Sequence, residues 1–311
     1  MEERAGALTA PSGADTRRKA LAFVALVGGA VAMGASPIFV RLADVGPYAS
    51  AFWRTALALP FLWAWARWEA RTVPAGAAPF DRAVLLSGLF FAGDLFFWHL
   101  SILSTTVANA TFLATTSPLW VALAAWLLFG ERIAGATGAG LALCLLGGAA
   151  LVGQSYSFAP ERLWGDLYGL ITAVFFGSYL LAIRAGRVRH GAAGLMFRST
   201  LVTTVCLLVI ALLFDDRVLP RSAGGAAALL ALALVSQVGG QGLLAVALGT
   251  LPATFSSLVI FIEAIAAALF GWAILHEALG PLQWLGGLLI LVGIWVGRPR
   301  AARPSLPEVG P

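Results

Sequence analysis

The sequence predicts an all-α membrane protein with ten transmembrane helices, arranged as two inverted five-helix repeats around a central cavity. Three observations support this fold class: an apolar composition, a series of long apolar segments that end at turn residues, and an internal repeat. Of the 311 residues, 60% are hydrophobic and 11% are charged, whereas a soluble domain carries roughly 25% charged residues. A helix crosses a bilayer with roughly 20 apolar residues, so the chain is long enough for about ten crossings.

The charged residues exclude several classes of protein. Lys19 is the single lysine, and it lies in the sequence Arg18-Lys19-Ala20. A phosphate-binding P-loop needs a Gly-Lys-Ser/Thr sequence, so this chain is not expected to hydrolyse ATP. The net charge of +5 comes mainly from arginines in short connections, a pattern that orients membrane proteins. We therefore expect no nucleic acid, ATP, metal or cofactor, and the partners are the lipid bilayer and a small-molecule substrate.

Ten apolar segments form the predicted spans, which we number one to ten in chain order. Many of them end at proline-containing turns, because proline lacks the backbone N–H and disfavours a helical conformation at the preceding residue. These turns are Gly46-Pro47, Val73-Pro74, Ala159-Pro160, Leu219-Pro220, Leu251-Pro252 and Gly280-Pro281. The spans are predicted at 21–42, 47–66, 82–102, 106–129, 134–154, 165–184, 193–214, 224–247, 252–275 and 281–297.

Basic residues are distributed unevenly between the two sides of this arrangement. With the N-terminus inside, 14 basic residues lie on the cytoplasmic side and 4 lie outside, while Arg54 and Arg198 fall within spans. Because cytoplasmic loops carry an excess of arginine and lysine, this bias predicts that both termini are cytoplasmic. The predicted location is the inner (cytoplasmic) membrane, with a disordered tail at 1–20 and a second cytoplasmic tail at 298–311.

An internal repeat relates the two halves of the chain. A shift of 146 residues places 104–151 on 250–297 without a gap, and a shift of 143–144 aligns earlier positions. Since each half has an odd number of spans, the halves are predicted to be inverted, as in many secondary transporters with a midplane substrate site. The predicted domains are 21–154 and 165–297, joined by a linker at 155–164. Matched pairs are Ala122/Ala268, Leu123/Leu269, Trp126/Trp272, Glu131/Glu277, Gly140/Gly286, Leu143/Leu289, Leu145/Leu291, Gly147/Gly293, Gly34/Gly177, Arg41/Arg184 and Arg54/Arg198.

Short motifs mark spans one, two, four and nine. They are Met33-Gly34-Ala35-Ser36-Pro37, Phe52-Trp53-Arg54, Ala108-Asn109-Ala110-Thr111, Gly130-Glu131-Arg132, Ala253-Thr254-Phe255 and His276-Glu277-Ala278. In these motifs the chain resembles the drug/metabolite transporter superfamily, in its ten-helix branch of two EamA-type domains, over roughly 21–297. The overall match is nearest to amino-acid exporters, including those for aromatic amino acids. The resemblance implies alternating access around a cavity lined by spans one, three, four, six, eight and nine.

Two acidic residues near span centres are the first candidates for a functional site, because ionisable groups inside a membrane are costly and are usually functional or paired. Asp94 lies in span three and Glu263 in span nine. Either carboxylate is expected to carry a proton or to bind a substrate amine. The alternative is a structural acid satisfied by neighbouring hydroxyls, which for Glu263 are Thr254, Ser256 and Ser257.

Other polar and aromatic residues extend the candidate cavity. Gln237 and Gln241 are four residues apart and share one face of span eight, where they line the cavity or join helices. Trp98 shares the face of Asp94, whereas His99 does not; His99 is expected to be structural, with proton coupling as the alternative. The remaining candidates are Asn109 and Thr115 in span four and Tyr179 in span six, whose ring is suited to stacking on a flat substrate.

Several conspicuous residues are expected to be structural. Glu131 and Glu277 precede helices and are interpreted as caps, because a carboxylate is stabilised at a helix N-terminus. Arg54 and Arg198 occupy equivalent places and are expected to snorkel to the membrane interface. Glycines in spans five and ten favour close helix packing, including the alternative of a homodimer face. Cys144 and Cys206 are interpreted as small buried hydrophobes.

The sequence thus predicts a secondary transporter, and specifically an exporter of amino acids or similar small neutral or zwitterionic metabolites. Efflux of cationic or lipophilic drugs by the same fold is the alternative. A cavity without lysine disfavours phosphorylated substrates, which need several cationic partners. An intramembrane enzyme is disfavoured, because the sequence has neither a His-Glu-x-x-His motif nor a nucleophile elbow. A channel is disfavoured by the inverted repeat.

Overall fold

A computed structural model describes residues 13–72, 78–105, 110, 113–129, 135–152, 162–276 and 279–298. These residues form helices and connections, and none of them lies in a β-strand. The helices are α1 Gly13–Gly34, α2 Ser36–Leu42, α3 Pro47–Ala56, α4 Leu59–Glu69, α5 Arg82–Ser104, α6 Ser117–Phe129, α7 Gly135–Val152, α8 Leu163–Gly186, α9 Ala192–Phe214, α10 Ala223–Ala231, the π-helix α11 Leu232–Gln241, α12 Gly242–Leu248, α13 Ala253–Val259, α14 Ile262–Leu275 and α15 Pro281–Gly297.

Six helical stretches in the described part of the chain are long and apolar enough to cross a membrane. Two shorter apolar helices, Gly135–Leu151 and Pro281–Gly297, fall on predicted spans five and ten. The all-helical membrane fold predicted from composition is therefore confirmed, and the number of crossings remains a prediction. The six long stretches are Ala14–Leu42, Arg82–Ser101, Leu163–Gly186, Ala192–Phe214, Ala223–Leu248 and Ala253–Ile274.

The helix ends follow from local sequence. Pro47 and Pro281 occupy the first turns of α3 and α15, where a missing N–H costs no hydrogen bond. Asp81 caps α5 by accepting a hydrogen bond from the Val84 N–H at 3.0 Å, and Ser222 caps α10 by accepting one from the Gly225 N–H at 2.9 Å. Such caps satisfy backbone donors that a helix leaves unpaired at its N-terminus.

Several predicted spans are interrupted rather than continuous, which the apolar pattern alone does not reveal. Span one breaks at Ala35, before Pro37, and span nine breaks at Ile260 and Phe261. Span eight contains the π-helical turns of α11. Proline explains the first break, because it cannot donate the helical hydrogen bond. Breaks and π-helical turns inside apolar helices commonly mark functional positions, since they redirect backbone groups and side chains.

Glycines bring α7 and α15 into close antiparallel contact. A Cβ atom at Gly140 would lie 2.5 Å from the Gly293 carbonyl oxygen, and one at Gly147 would lie 2.6 Å from the Gly286 carbonyl oxygen. Any side chain at these positions would push the helices apart, so the glycines are required for this approach. The stripe of glycines predicted from sequence is thus used within the chain. Gly140 contacts Gly293, and their repeat-matched counterparts, Gly286 and Gly147, contact each other in the same way. The contact is therefore symmetric with respect to the repeat.

The contacts around the broken spans are also symmetric with respect to the repeat. A Cβ atom at Gly34 would lie 2.8 Å from the Glu263 carbonyl oxygen, and one at Gly177 would lie 3.2 Å from the Ser117 carbonyl oxygen. Gly34 and Gly177 are repeat-matched at a spacing of 143 residues, and Ser117 and Glu263 at a spacing of 146 residues. Helix α1 therefore packs on α14 as helix α8 packs on α6.

Reciprocal caps join the second and seventh predicted spans at both ends. A carboxylate oxygen of Glu69, at the end of α4, accepts a hydrogen bond from the Gly194 N–H at 3.0 Å near the start of α9. Asp215, at the end of α9, accepts one from the Ala49 N–H near the start of α3. Glu69 and Asp215 are also 146 residues apart. Each helix thus ends on a carboxylate that caps its antiparallel partner, an arrangement that the helix dipole favours.

A paired group of charged residues lies beside the Glu69 cap, and we call Asp81, Arg189, His190 and Arg198 the corner cluster. An oxygen of Asp81 lies 3.0 Å from a guanidinium nitrogen of Arg189 and 3.0 Å from Nε2 of His190. A nitrogen of Arg198 lies 3.4 Å from Nδ1 of His190. Partial burial by itself raises the pKa of the Asp81 carboxyl, but the Val84 N–H and His190 outweigh it and hold that pKa below its ordinary value.

Candidate functional site

A cavity of about 110 Å³ opens where the interrupted helices meet. Its wall combines a guanidinium, two carboxylates, an amide, several hydroxyls and apolar or aromatic side chains, and we call it the central cavity. Such a mixture of apolar surface and a few convergent polar groups is typical of small-molecule sites. Its lining residues are Met33, Ser36, Pro37, Arg54, Phe91, Asp94, Leu95, Trp98, Ala114, Thr115, Ser117, Thr172, Phe176, Gln241, Ser257, Ile260, Phe261, Glu263, Ala264 and Ala267.

Arg54 is the cation of the central cavity, and the expectation that it snorkels to the interface is wrong. Only 7% of the residue is exposed. Its Nε–H donates to the Gln237 side-chain oxygen at 3.1 Å, and its guanidinium carbon lies 5.6 Å from the centre of the Phe91 ring. The Gln237 amide in turn donates to the Thr200 hydroxyl at 3.3 Å. The hydrogen bond from Nε and the contact with the Phe91 ring hold the guanidinium at the cavity wall.

The two predicted carboxylates both reach the central cavity. Asp94 on α5 and Glu263 in the first turn of α14 line it, and both interact electrostatically with Arg54. Within the described part of the chain, neither carboxylate lies within 4.0 Å of a cation or accepts a hydrogen bond. Hydroxyl groups do not satisfy Glu263 there: Ser257 donates instead to the Thr254 carbonyl oxygen at 2.9 Å. Both carboxylates are therefore available to a ligand in the cavity.

Tyr179 and the two glutamines form a polar chain that borders the cavity. The Tyr179 hydroxyl donates to the Gln241 side-chain oxygen at 3.1 Å, and the Gln241 amide donates to the Met33 sulfur at 3.2 Å. Gln241 lines the cavity, whereas Tyr179 and Gln237 lie behind its wall. Tyr179 is 1% exposed and stacks on Phe91 with ring centres 4.7 Å apart. These contacts place Tyr179 as a support for the wall rather than as a surface on which a substrate stacks.

The other predicted residues are divided between the cavity, the protein interior and the undescribed segments. Trp98 and Thr115 line the central cavity. Asn109, Glu131 and Glu277 lie outside the described residues, so their predicted roles stay predictions.

His99 lies in the protein interior and is not among the residues that line the cavity. It is 2% exposed, and its Nδ1 lies 2.6 Å from the Leu95 carbonyl oxygen, to which the Nδ1–H donates. Its ring packs against Trp98, with ring centres 5.0 Å apart. The Leu95 and Trp98 contacts agree with a structural role. His99 forms no ion pair among the described residues, although Arg54 is close enough to act on it electrostatically.

Sequence reasoning missed Arg54 as a site residue, although a signal was present. Arg54 lies seven residues beyond Pro47, the first residue of α3, which places it about 10 Å along the helix at 1.5 Å per residue. An arginine at that depth either extends to the interface or finds partners inside. The partner that decides the matter, Gln237, is 183 residues away in sequence, so the sequence alone offers no local indication of it.

The described residues contain no group of three or more His, Cys, Asp and Glu side chains that could hold a metal ion. Cys144 and Cys206 are free in that part of the chain, and Cys144 is buried against α15, with its sulfur 3.6 Å from the Ile290 carbonyl oxygen. The central cavity therefore offers fixed charges and hydrogen-bonding groups as its chemical resources.

The family model and the two named relatives that match this chain are those of transporters. The EamA-like transporter family model matches residues 20–153 and 163–297. The pseudopaline exporter CntI of Pseudomonas aeruginosa is 31% identical over 209 residues, which cover 67% of this chain and 72% of the exporter. An uncharacterized transporter of Archaeoglobus fulgidus is 26% identical over 271 residues, covering 83% of this chain and 91% of that protein. A solved crystal structure of a protein matches the fold with a TM-score of 0.76 at 20% identity, over 90% of this chain and 96% of that one.

Proposed function

This chain belongs to the EamA-like transporter family, and we propose that it exports amino acids, or similar small zwitterionic metabolites, by alternating access. The family and the named relatives are membrane transporters and not enzymes. The observation that carries the proposal is the presence of one buried arginine, Arg54, and two carboxylates, Asp94 and Glu263, on the wall of the same central cavity. A zwitterion presents one negative and one positive group at short separation, which matches this arrangement of charges.

The proposed architecture is ten transmembrane helices in two inverted five-helix repeats, 21–154 and 165–297, joined by a linker at 155–164. Exchanged contacts support it: the α7–α15 glycines, the α1–α14 and α8–α6 contacts, and the Glu69 and Asp215 caps all recur at the repeat spacing. An inverted repeat has two equivalent arrangements that open to opposite sides of the membrane, so rocking of one half against the other would give alternating access.

The wall of the central cavity favours amino acids with apolar or aromatic side chains. Phe91, Trp98, Phe176 and Phe261 contribute rings, and aromatic pairs are stabilised beyond simple burial. A relative that bears the name of an exporter supports outward transport. The proposal therefore includes aromatic amino acids within the substrate range, with a proton or ion gradient or the substrate gradient as the energy source.

Export of cationic or lipophilic drugs is the second candidate function. It is favoured by one specific observation, that two carboxylates face a single arginine, which gives the cavity an excess negative charge when both are ionised. A cationic drug would use Asp94 or Glu263 without Arg54. A channel would carry flux without saturation, and this distinguishes it from both carriers.

Counterflow in proteoliposomes tests the proposed function. Vesicles preloaded with unlabelled phenylalanine, leucine, lysine or glutamine are placed in the labelled amino acid, and transient accumulation above equilibrium is expected for at least one of them. Accumulation that saturates with concentration would exclude a channel. Accumulation of ethidium or tetraphenylphosphonium with none of the amino acids would favour the drug-export alternative.

The proposed orientation places both termini in the cytoplasm of an inner (cytoplasmic) membrane. Val188 lies in the connection between α8 and α9 and is 80% exposed, so a cysteine there, in a chain with Cys144→Ser and Cys206→Ser, reports its side of the membrane. We expect an impermeant maleimide to label Val188→Cys in inverted vesicles and not in intact cells. Labelling in intact cells would reverse the orientation.

A further inference from the structure

The guanidinium of Arg54 is only partly used by the protein. Its Nε–H donates to Gln237, while Nη1 and Nη2 donate to no group in the described part of the chain. The residue is 7% exposed and lines the central cavity. Burying an ionised group without partners is costly, so a guanidinium held in this state by Gln237 and Phe91 points to a ligand that completes it.

The two neighbouring carboxylates are not the missing partners. No ion pair within 4.0 Å joins Arg54 to Asp94 or Glu263, although both are close enough to interact with it electrostatically. The three groups lie on α3, α5 and α14 and leave space between them at the cavity. That space can receive a molecule that carries both a carboxylate and an ammonium group.

The geometry points to Arg54 as the residue that binds the free carboxylate of the substrate, through a bidentate pair from Nη1 and Nη2. Asp94 and Glu263 bind the ammonium group of the same molecule. This inference rests on the proposed function and names the chemical group that the site requires. A guanidinium offers two parallel N–H donors that match the two oxygens of a carboxylate, which an ammonium cannot do.

The charge balance selects a monoanionic carboxylate over a phosphate. A phosphate monoester carries nearly two negative charges at neutral pH, and here it would meet one cation and two carboxylates. A carboxylate beside an ammonium group meets complementary charge at both ends. A ligand that has lost its carboxylate leaves Nη1 and Nη2 without partners and supplies no negative charge to offset that of Arg54.

A binding measurement with matched ligands tests this inference without relying on transport. The intrinsic tryptophan fluorescence of the purified full-length protein reports binding, because Trp98 lines the cavity. The probes are phenylalanine, phenylalaninamide and phenethylamine, with lysine and lysinamide as a second series. The amides and the amine are expected to bind about tenfold or more weakly than the free amino acid, where tenfold corresponds to 1.4 kcal/mol.

Variants then assign that preference to Arg54. In Arg54→Gln the preference for the free carboxylate should fall to within about twofold, and Arg54→Lys should keep part of it because the charge remains. Arg198→Gln, the repeat-matched change outside the cavity, should keep the wild-type preference. The comparison of ligands on the wild-type protein stands even if an Arg54 variant fails to fold.

Three results would overturn the inference: equal affinity of the wild type for phenylalanine and phenylalaninamide, an unchanged preference in folded Arg54→Gln, and no binding by either amino acid. The proposed function fails separately. Carboxylate-dependent binding without counterflow would remove the transport proposal alone, and counterflow of amino acids and their amides at equal rates would remove the Arg54 assignment alone.

Discussion

Arg54 and Arg198 are aligned by the sequence repeat, yet they lie in opposite environments. Arg54 is eight residues beyond its helix N-cap, Gly46, whereas Arg198 is seven residues beyond Gly191, so the helices place them one residue out of register. Arg54 is held at the wall of the central cavity beside Asp94 and Glu263, with no direct ion pair among the described residues. Arg198 belongs to the corner cluster, where Asp81 pairs with Arg189 and His190 at 3.0 Å. Two arginines that the sequence repeat aligns thus lie in a site without direct ion pairs in one half and beside an ion-paired cluster in the other.

A scaffold of two similar halves can thus hold one asymmetric site. The backbone contacts are equivalent in the two halves, as the α7–α15 glycines show. The side chains that face the cavity differ between the halves: Glu263 in one half corresponds to Ser117 in the other. Groups whose hydrogen bonds are complete stabilise the fold, whereas buried charges that lack direct partners cost stability and are retained for function.

The largest expected effect is a loss of transport when Asp94 or Glu263 of the central cavity is changed, but not when Asp81 of the corner cluster is changed. Asp94→Asn and Glu263→Gln should each reduce amino-acid counterflow about tenfold or more at equal expression, since a hydrogen bond to a charged group contributes about 1.5–3 kcal/mol. Asp81→Asn, which keeps an α5 N-cap but removes the corner-cluster charge, should change counterflow by less than about twofold. Equal losses in all three variants would abolish the distinction between cavity and corner.

Support for the cavity wall is expected to have an intermediate effect. Tyr179→Phe removes the hydroxyl that donates to Gln241, which should lower the free energy of unfolding by about 1 kcal/mol. Counterflow should fall by less than in Asp94→Asn, because Gln241 remains in place with one partner fewer. Tyr48→Phe is the matched control, since the Tyr48 hydroxyl forms no hydrogen bond in the described part of the chain. Thermal unfolding in detergent distinguishes the two, and similar midpoints would contradict the assigned role.

Substitutions in the corner cluster are expected to change the stability of the protein and its pH dependence rather than the transport rate. Asp81→Ala removes the α5 cap and the ion pairs, which should lower stability by about 1 kcal/mol at pH 7. The pKa of Asp81 is held below its ordinary value of 3.8, so its contribution is complete above that value and is lost as the pH falls through the lowered pKa. The difference from wild type in thermal unfolding should therefore shrink below about pH 4, and a constant difference would contradict the assignment.

The smallest effect is expected at His99. Its Nδ1–H is engaged by the Leu95 carbonyl oxygen, and the ring packs against Trp98 and is not among the residues that line the cavity. His99→Gln should leave counterflow within about twofold of wild type and should not move the pH profile of transport. A shifted profile would restore the proton-coupling alternative and would extend the functional region beyond the central cavity.

Much of the candidate site was accessible to sequence reasoning. Asp94, Thr115, Gln241 and Glu263 were predicted because polar groups in apolar spans are costly, and Trp98 because it shares the face of Asp94; all five line the central cavity. Tyr179 and Gln237 were predicted as lining residues, yet they support the wall from behind. Helical phase alone does not separate these two cases, because a residue beside the cavity and a residue one layer deeper share the same face of a helix.

The apolar helical class, the internal repeat and the glycines that permit close packing can be predicted from sequence, because each depends on composition or on regular spacing. The packing of the helices is needed to place Arg54 at the cavity and Arg198 in the corner cluster. The physical reason is that a buried guanidinium is positioned by partners from other helices: Gln237 is 183 residues from Arg54, and no local pattern encodes which helix will supply that oxygen.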